Sequence, residues 1–432
     1  MKAVLTAILF FCCFGAFAQD DVDSLDVDVN DTDVRERGVV LYNDGKIDSG
    51  QIPSFIKRAA NRIQLNGADW SGLRNSVANS GSEVVSVVHI GDSHIQAEIG
   101  TSVTRELLQL DFGNAGRGLV SPLRLSGTNQ PTDYTIESGS KWKAEKVMRG
   151  PWTNPMGFNG TSLTLVGNRG NLRIYTADDE ESYNPFTAIR LFYSGTITIT
   201  GVGNEYGMPV PYRVKSGNGY VDITLWEALT VADITFETSK GFTFFCASVT
   251  NERPGLVYHA IGNNGATYYT YNNVGTTASG IKELSPDLII VSLGTNEAFG
   301  KLDILEFRRN LNNFVTSLKQ NNPDAEILLV TPMECQRSSV RRTGTGRRAR
   351  RVRSYSVNNN ILPIRNEILR YGREKHIATY DWYDVAGGTG ASNTWIDSEL
   401  LSRDRVHHTS SGYKLNGKLM YEALINALIP KK

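Results

Sequence analysis

The sequence lacks a charge imbalance, is poor in cysteine and has only one long apolar run, and each shortage removes a class of function. Its 432 residues carry 45 basic and 45 acidic side chains, a formal net charge of zero. A surface built to hold a polyanion needs an excess of lysine and arginine, so neither nucleic acid nor an anionic membrane is an expected partner. Only four cysteines are present. Cys12 and Cys13 fall inside the apolar run, which leaves Cys246 and Cys335, each beside a strand-like apolar stretch. They either form one disulfide or remain two buried thiols, and sequence does not choose between them. A calcium loop at Asp26–Asn30 would need a glycine and a distal glutamate that are missing. The glycine-rich stretch Phe112–Gly118 has no lysine-serine pair to cradle a phosphate, and reads as a turn or a pocket wall.

The apolar run itself is informative. Met1-Lys2 precedes it, Leu5 to Phe17 forms it, and Ala16-Phe17-Ala18 is a small-x-small cleavage site. Residues 1–18 therefore read as a secretory signal peptide, too short for a membrane span. No small-residue lipobox precedes Cys12 or Cys13, and no later segment is apolar enough to cross a bilayer. Residues 19–37 are rich in aspartate and poor in large apolar residues, as in a disordered acidic linker.

The length predicts two domains. Val84 to Ile90 is a mostly apolar run of the kind a strand covered on both faces requires. Further strands are expected at Leu256–Ile261, Asp287–Leu293, Glu326–Thr331 and Ile377–Trp382. Helices are expected at Ala97–Leu110, Leu302–Gln320, Asn359–Lys375 and Ser411–Leu428, with one more in the lead-in near Trp70–Val77. Strand and helix alternate, so the sheet should be mostly parallel. Between residues 128 and 250 the pattern changes to short period-two runs punctuated by glycine and asparagine, as in a β-sandwich or jelly roll. The predicted class is thus an α/β domain, 38–127 and 251–432, interrupted by an all-β insert, 128–250. Trp142, Trp152 and Trp226 in the insert either stack on sugars or pack in its core.

Four short segments fall just after predicted strand ends or just before the last helix, on one edge of one sheet. Ser93 follows the first strand, where ligands of open α/β sheets bind. It is a candidate nucleophile, or else a helix cap. His407 is the candidate base, and Asp404, three residues earlier, can reach its far ring nitrogen and fix the tautomer. Acyl transfer also needs donors for an oxyanion. The Ser93 and Gly265 N–H groups and the Asn296 amide are candidates, although glycine and asparagine also shape turns on their own.

Gly91-Asp-Ser-His94, Gly265, Gly294-Thr-Asn296 and Asp404-x-x-His407 resemble the four blocks of the SGNH (GDSL-type) hydrolase superfamily, in the right order. The resemblance implies a flavodoxin-like parallel sheet. It implies Ser93 as nucleophile, His407 as base, Asp404 as the group orienting it, and Gly265 and Asn296 with the Ser93 amide as the oxyanion hole. No metal or organic cofactor is implied. His94 after the nucleophile, and a β-rich module between the first two blocks, are similar to bacterial peptidoglycan O-acetylesterases. The expectation is an exported, periplasmic or extracellular esterase that removes O-acetyl groups from a glycan. Alternatives are an acetyl esterase on another polysaccharide, a lipid esterase or thioesterase, and a catalytically silent glycan-binding envelope protein. Candidate substrate contacts are His94, Trp395, and Arg341 and Arg342 in the arginine-dense run 337–353, which reads either as a clamp for anionic glycan or as a solvated basic loop. His89, within the first strand, is expected to be a satisfied core histidine. Glu297 has no assigned role.

Overall fold

A computed structural model describes residues 52–176, 184–343 and 350–429, with the backbone alone at 342, 343, 350 and 351. The expected signal peptide and acidic linker lie outside these residues.

Five parallel strands carry the α/β portion: β1 (Val84–Gly91), β2 (Gly255–Gly262), β3 (Leu288–Ser292), β4 (Glu326–Val330) and β5 (Ala378–Tyr380). Their order across the sheet is β2-β1-β3-β4-β5, with the two-residue strand Ile63–Gln64 antiparallel on the β5 edge. This is the flavodoxin-like order, and its topological switch point falls between β1 and β3. Both faces of the sheet are covered. Val85, Val87, Leu256, Ile290 and Leu328 point into one apolar cluster, and Val88, Ile90, Ile261, Ile289, Val291, Ile327 and Leu329 into the other. That burial on alternate sides is why the strands read as continuous apolar runs.

The helices that matter for the site are α1 (Ser71–Ala78), α2 (Ser93–Gln96), α3 (Ile99–Phe112), α4 (Tyr268–Val274), α5 (Ile304–Asn321), α6 (Ile361–Lys375) and α7 (Ser410–Leu428). On the first face α3 packs against α7, and on the second α4 and α6 pack against α5.

Between α3 and β2 the chain builds two antiparallel sheets. One has the order 212–216, 220–229, 186–194, 243–250, 161–165, 142–146, with Gly118–Val120 also paired to Thr243–Thr250. The other has the order 135–137, 169–175, 231–238, 197–203. A common core that includes Leu163, Ile174, Ile189, Ile223, Ile234 and Phe244 lies between them, the arrangement of a sandwich. Gly118–Val120 precedes the boundary expected at 128. The stretch Phe112–Gly118 is the turn at which the chain leaves the α/β portion, and the returning strand runs beside it. Leu256 N–H donates to Gly113 O (2.8 Å) and Asn251 N–H to Ala115 O (3.1 Å). A Cβ on Gly116 would sit 2.5 Å from Thr250 Cα, so only glycine allows this approach.

One sequence expectation needs correction. The described parts of the arginine run are not loop: Gln336–Thr343 and Arg350–Val357 pair as antiparallel strands, Arg341 opposite Val352. Of the two alternatives open for the cysteines, the second holds, since Cys246 and Cys335 are both buried free thiols.

Candidate active site

β1 ends at Gly91, and the chain turns at once into α2. A Cβ on Gly91 would lie 2.2 Å from Ile95 Cγ1 and 2.9 Å from Ser292 O, so the turn is closed too tightly for any other residue. Asp92 caps α2, its Oδ1 accepting from His94 N–H at 2.9 Å. Ser93 is therefore the first residue of a helix at the carboxyl end of the central strand, 9% exposed, just enough for an approaching group to reach it.

Asp404 and His407 come from the connection into α7, 314 positions from the serine for His407. Asp404 Oδ1 accepts the backbone N–H groups of Val406 (2.8 Å) and His407 (2.9 Å), closing a tight turn in which Arg405 takes φ +63°. The turn brings Asp404 Oδ2 to 2.7 Å from His407 Nδ1, and the other ring nitrogen, Nε2, to 2.7 Å from Ser93 Oγ. With Nδ1–H donating to the carboxylate, Nε2 is left as an acceptor for the serine hydroxyl. Burial would raise the Asp404 carboxyl, but the bond and charge of His407 and the two backbone donors outweigh it and hold it well below the usual carboxylate range.

The strained turn is propped from outside by the arginine-rich hairpin. Gln336 N–H donates to Arg405 O (3.0 Å), Arg405 Nη1–H donates to Gln336 Oε1 (2.8 Å), and the Arg405 guanidinium lies 3.8 Å from the centre of the Tyr355 ring. Arg337, at the head of the run, donates to the carbonyl of Ala298, two residues beyond Asn296. The hairpin thus braces the loop after β3 and the Asp404–His407 turn together.

Asn296 follows β3. Its Nδ2 donates to Ala266 O at 3.0 Å and to Asp92 Oδ2 at 3.3 Å. Offering a proton to an oxyanion would exchange the longer of these bonds. Gly265 lies in the turn after β2 at φ +79°, with Met148, from the antiparallel part, 3.2 Å from where its Cβ would be. The turn is fastened to α2, since Asn264 N–H donates to Gln96 Oε1 (2.8 Å) while Gln96 Nε2 donates to Thr128 Oγ1 (2.9 Å). The structure therefore brings Ser93, Asp404, His407, Asn296 and Gly265 to one edge.

Of the proposed substrate contacts, His94 adjoins the site, its ring stacked on that of His407 at 5.1 Å. Trp395 is a correction. It is fully buried, stacked behind His408 at 4.9 Å with its Nε1 donating to Ala386 O, so it touches core and not substrate. It sits on a short helix, Ala391–Asp397, whose buried residues are Ala391, Ser392 and Trp395. Arg341 is an exposed hairpin residue with no contact to Ser93, Asp404 or His407 among the described residues; the Arg342 side chain lies outside them. His89 is a core histidine, with Tyr258 Oη 2.7 Å and Ser292 Oγ 2.6 Å from its two nitrogens, and burial lowers it to about 3. Trp142 and Trp152 donate their Nε1 protons to Ser138 Oγ and Lys146 O, whereas Trp226 is exposed.

Sequence reasoning quoted Asp92 within its motif but gave it no role, and gave Gln96 none. Asp92 was findable as the residue before the nucleophile at a helix cap. Gln96 had no signal, because its partners are 32, 33 and 168 positions away.

A sheet with this switch point, carrying a Ser–His–Asp relay at its edge, has the arrangement of a serine hydrolase, and the family match that follows is to acylhydrolases, the carboxylic ester hydrolases. Residues 230–415 match the GDSL-like lipase/acylhydrolase family, a stretch that includes Gly265, Asn296, Asp404 and His407 but not Ser93. Among solved structures, the chain is similar in fold to a peptidoglycan O-acetylesterase at 20% identity and a TM-score of 0.67, over 85% of this chain and 99% of that one. Two other matches are a lipase/acylhydrolase from Enterococcus faecalis (20% identity, TM-score 0.30, 41% of this chain and 80% of that one) and a family two carbohydrate esterase from Cellvibrio japonicus (10% identity, TM-score 0.27, 68% and 98%). Among curated proteins, none matches. The chain resembles SGNH hydrolases.

Proposed function

We propose that the protein is an exported serine esterase that removes O-acetyl groups from a glycan, with peptidoglycan as the first candidate. The observation that carries the chemistry is the unbroken relay of two 2.7 Å hydrogen bonds from Ser93 through His407 to Asp404. Ser93 Oγ attacks the acetyl carbonyl while His407 Nε2 takes its proton. Asp404 holds the ring and offsets the imidazolium charge. The Ser93 and Gly265 N–H groups and the Asn296 amide stabilise the tetrahedral oxyanion. As the intermediate collapses, His407 returns the proton to the departing sugar oxygen, leaving acetyl-Ser93. Water, deprotonated by the same histidine, then releases acetate.

The glycan reading is supported by the fold shared with a peptidoglycan O-acetylesterase over most of both chains, and by an antiparallel portion that reaches the rim of the site at Met148. Export rests on the N-terminal leader, with cleavage after Ala18. The test is acetate release from O-acetylated peptidoglycan, acetylated xylan and a long-chain aryl ester. We expect release from peptidoglycan that disappears in Ser93→Ala. Release only from xylan would move the substrate, preference for the long-chain ester would favour a lipid esterase, and no Ser93-dependent release from any of the three would overturn the reading.

A further inference from the structure

His94 is held in an unusual way for a residue beside a catalytic base. Its Nδ1 lies 2.9 Å from Asp92 Oδ1 and its Nε2 lies 3.3 Å from Val406 O. A carboxylate and a carbonyl only accept, so both ring nitrogens satisfy their partners only as N–H donors. A neutral imidazole has one N–H. The geometry therefore selects the imidazolium, and Asp92, with a side chain only 2% exposed, is its counter-ion.

Each member of the pair also grips a different block of the site. Asp92 Oδ2, the oxygen not used by His94, receives the Asn296 amide at 3.3 Å. His94 holds the carbonyl of Val406, the residue before His407, and its ring lies at an interplanar angle of 29° to the His407 ring. We propose that Asp92 and His94 act as an ion-paired positioning clamp: Asp92 aims the Asn296 amide, and cationic His94 fixes the His407 turn and sets the acid limit of its action as a base. The inference rests on the Ser93–His407 reading above.

The groups facing His94 are consistent with a cation. Asp92 lies on its own turn. From the α7 connection come Asp404, His407 and His408, and from α7 itself Tyr413, whose ring centre is 6.1 Å away. Burial works against the charge on His94, but the charge and bond of Asp92, the Val406 carbonyl and Asp404 outweigh it, raising the group above its ordinary value. Burial, followed by repulsion from His94 and His407, holds His408 neutral, well below its ordinary value. The cation therefore belongs to His94.

The sign of the pH effect follows. In His94→Asn the amide can still donate to Asp92, but the positive charge is gone and the Asp92 carboxylate remains. Protonation of the neighbouring base is then favoured, so the acid limb of kcat/KM moves to higher pH. In Asp92→Asn the anion is removed and the limb moves the other way or stays. There kcat also falls with little change in KM, because the Asn296 amide keeps its bond to Ala266 O but has lost the carboxylate that aims it.

The experiment has three parts. Hydrolysis of a small aryl acetate by wild type and Ser93→Ala establishes the nucleophile, and activity that survives in Ser93→Ala would overturn the underlying reading instead of the clamp. Ring nitrogen NMR of His94 in the wild type at pH 6 should show both nitrogens protonated, and needs no variant to fold. The pH profiles of His94→Asn and Asp92→Asn should then separate. A neutral His94 at pH 6, or activity losses in His94→Asn with an unmoved acid limb, would overturn the proposal.

Discussion

Asp404 makes the most specific claim at the scale of single residues. Its carboxylate accepts two backbone N–H groups through Oδ1 and the His407 ring through Oδ2, and it stays ionised across the working pH range. In Asp404→Asn the amide nitrogen, if it replaces Oδ2, presents a donor where His407 Nδ1–H needs an acceptor. The ring then takes the other tautomer and points N–H at Ser93. We expect kcat to fall on the order of 10³- to 10⁴-fold with KM almost unchanged, and steady-state kinetics on an aryl acetate would check it. Loss of the Asn296 amide in Asn296→Ala should cost about 10²- to 10³-fold in kcat. The catalytic candidates were legible because Ser93, Asn296, Asp404 and His407 belong to short blocks with fixed local spacing. What was not legible is their support. Asp92 looked like an ordinary motif residue, since the partner of its second oxygen is 204 positions away. Trp395 was misplaced for the converse reason, because its neighbours in sequence say nothing about which way a short helix turns.

Elements place those residues, and here two glycines give a clean contrast. A Cβ on Gly262, the last residue of β2, would lie 2.1 Å from Gln96 N and 2.4 Å from Gln96 Cα. Those are backbone atoms of the nucleophile helix, so no side-chain rotation relieves the clash and α2 must move with Ser93 on it. We expect Gly262→Ala to lose at least tenfold in kcat, since displacement of about 1 Å at a reacting group can cost about 100-fold. Gly72, on α1, has nothing within 4 Å of its Cβ position. Gly72→Ala should leave kinetics alone and raise stability by about 0.5–1 kcal/mol, read as an increase in Tm. The strands were largely readable from the sequence, because two-sided burial demands apolar runs. The hairpin 336–343 with 350–357 was not. Gln-Arg-Ser-Ser-Val-Arg-Arg-Thr has no apolar alternation, and its pairing is set by the strand opposite and by the turn it braces. The same holds for Tyr212–Ser216, which is exposed along most of its length.

Across the whole molecule, the α/β and antiparallel portions share more than a peptide connection. Phe158, Phe192 and Cys246 belong to the same apolar cluster as β3 and α5, and Asn263 Nδ2 donates to Asn159 O at 3.0 Å. A buried charge network joins them as well. Arg117 donates to Asp133 through Nε (3.1 Å) and Nη2 (3.0 Å), Arg105 donates to Asp133 (2.8 Å), and Arg117 also pairs with Glu98. Glu98, at φ +55°, links the nucleophile helix to α3. Arg117 donates to both carboxylates, so removing it leaves Asp133 with one buried cation and Glu98 with none. Arg117→Met should cost about 3–5 kcal/mol, measured by denaturant unfolding. The network also imposes a pH dependence. Burial raises Glu98 to about 7 against the pull of Arg117, whereas Arg117 and Arg105 overcome burial at Asp133 and hold it at about 2. Glu98 therefore binds a proton in the folded chain that the unfolded chain has released, and its stabilisation is lost as pH rises from the ordinary glutamate range to about 7. Asp133 acts in the opposite sense, losing its contribution as pH falls below the ordinary aspartate range. Glu297, beside Asn296, follows Glu98, since burial raises it to about 7 while Tyr268 N–H donates to its Oε1 at 2.8 Å. Between pH 5 and 7.5, stability should decline by about 1–3 kcal/mol for each of the two glutamates. Glu98→Gln should remove roughly half of that decline, and a Tm profile over this range that keeps its full slope in the variant would exclude Glu98 as a source.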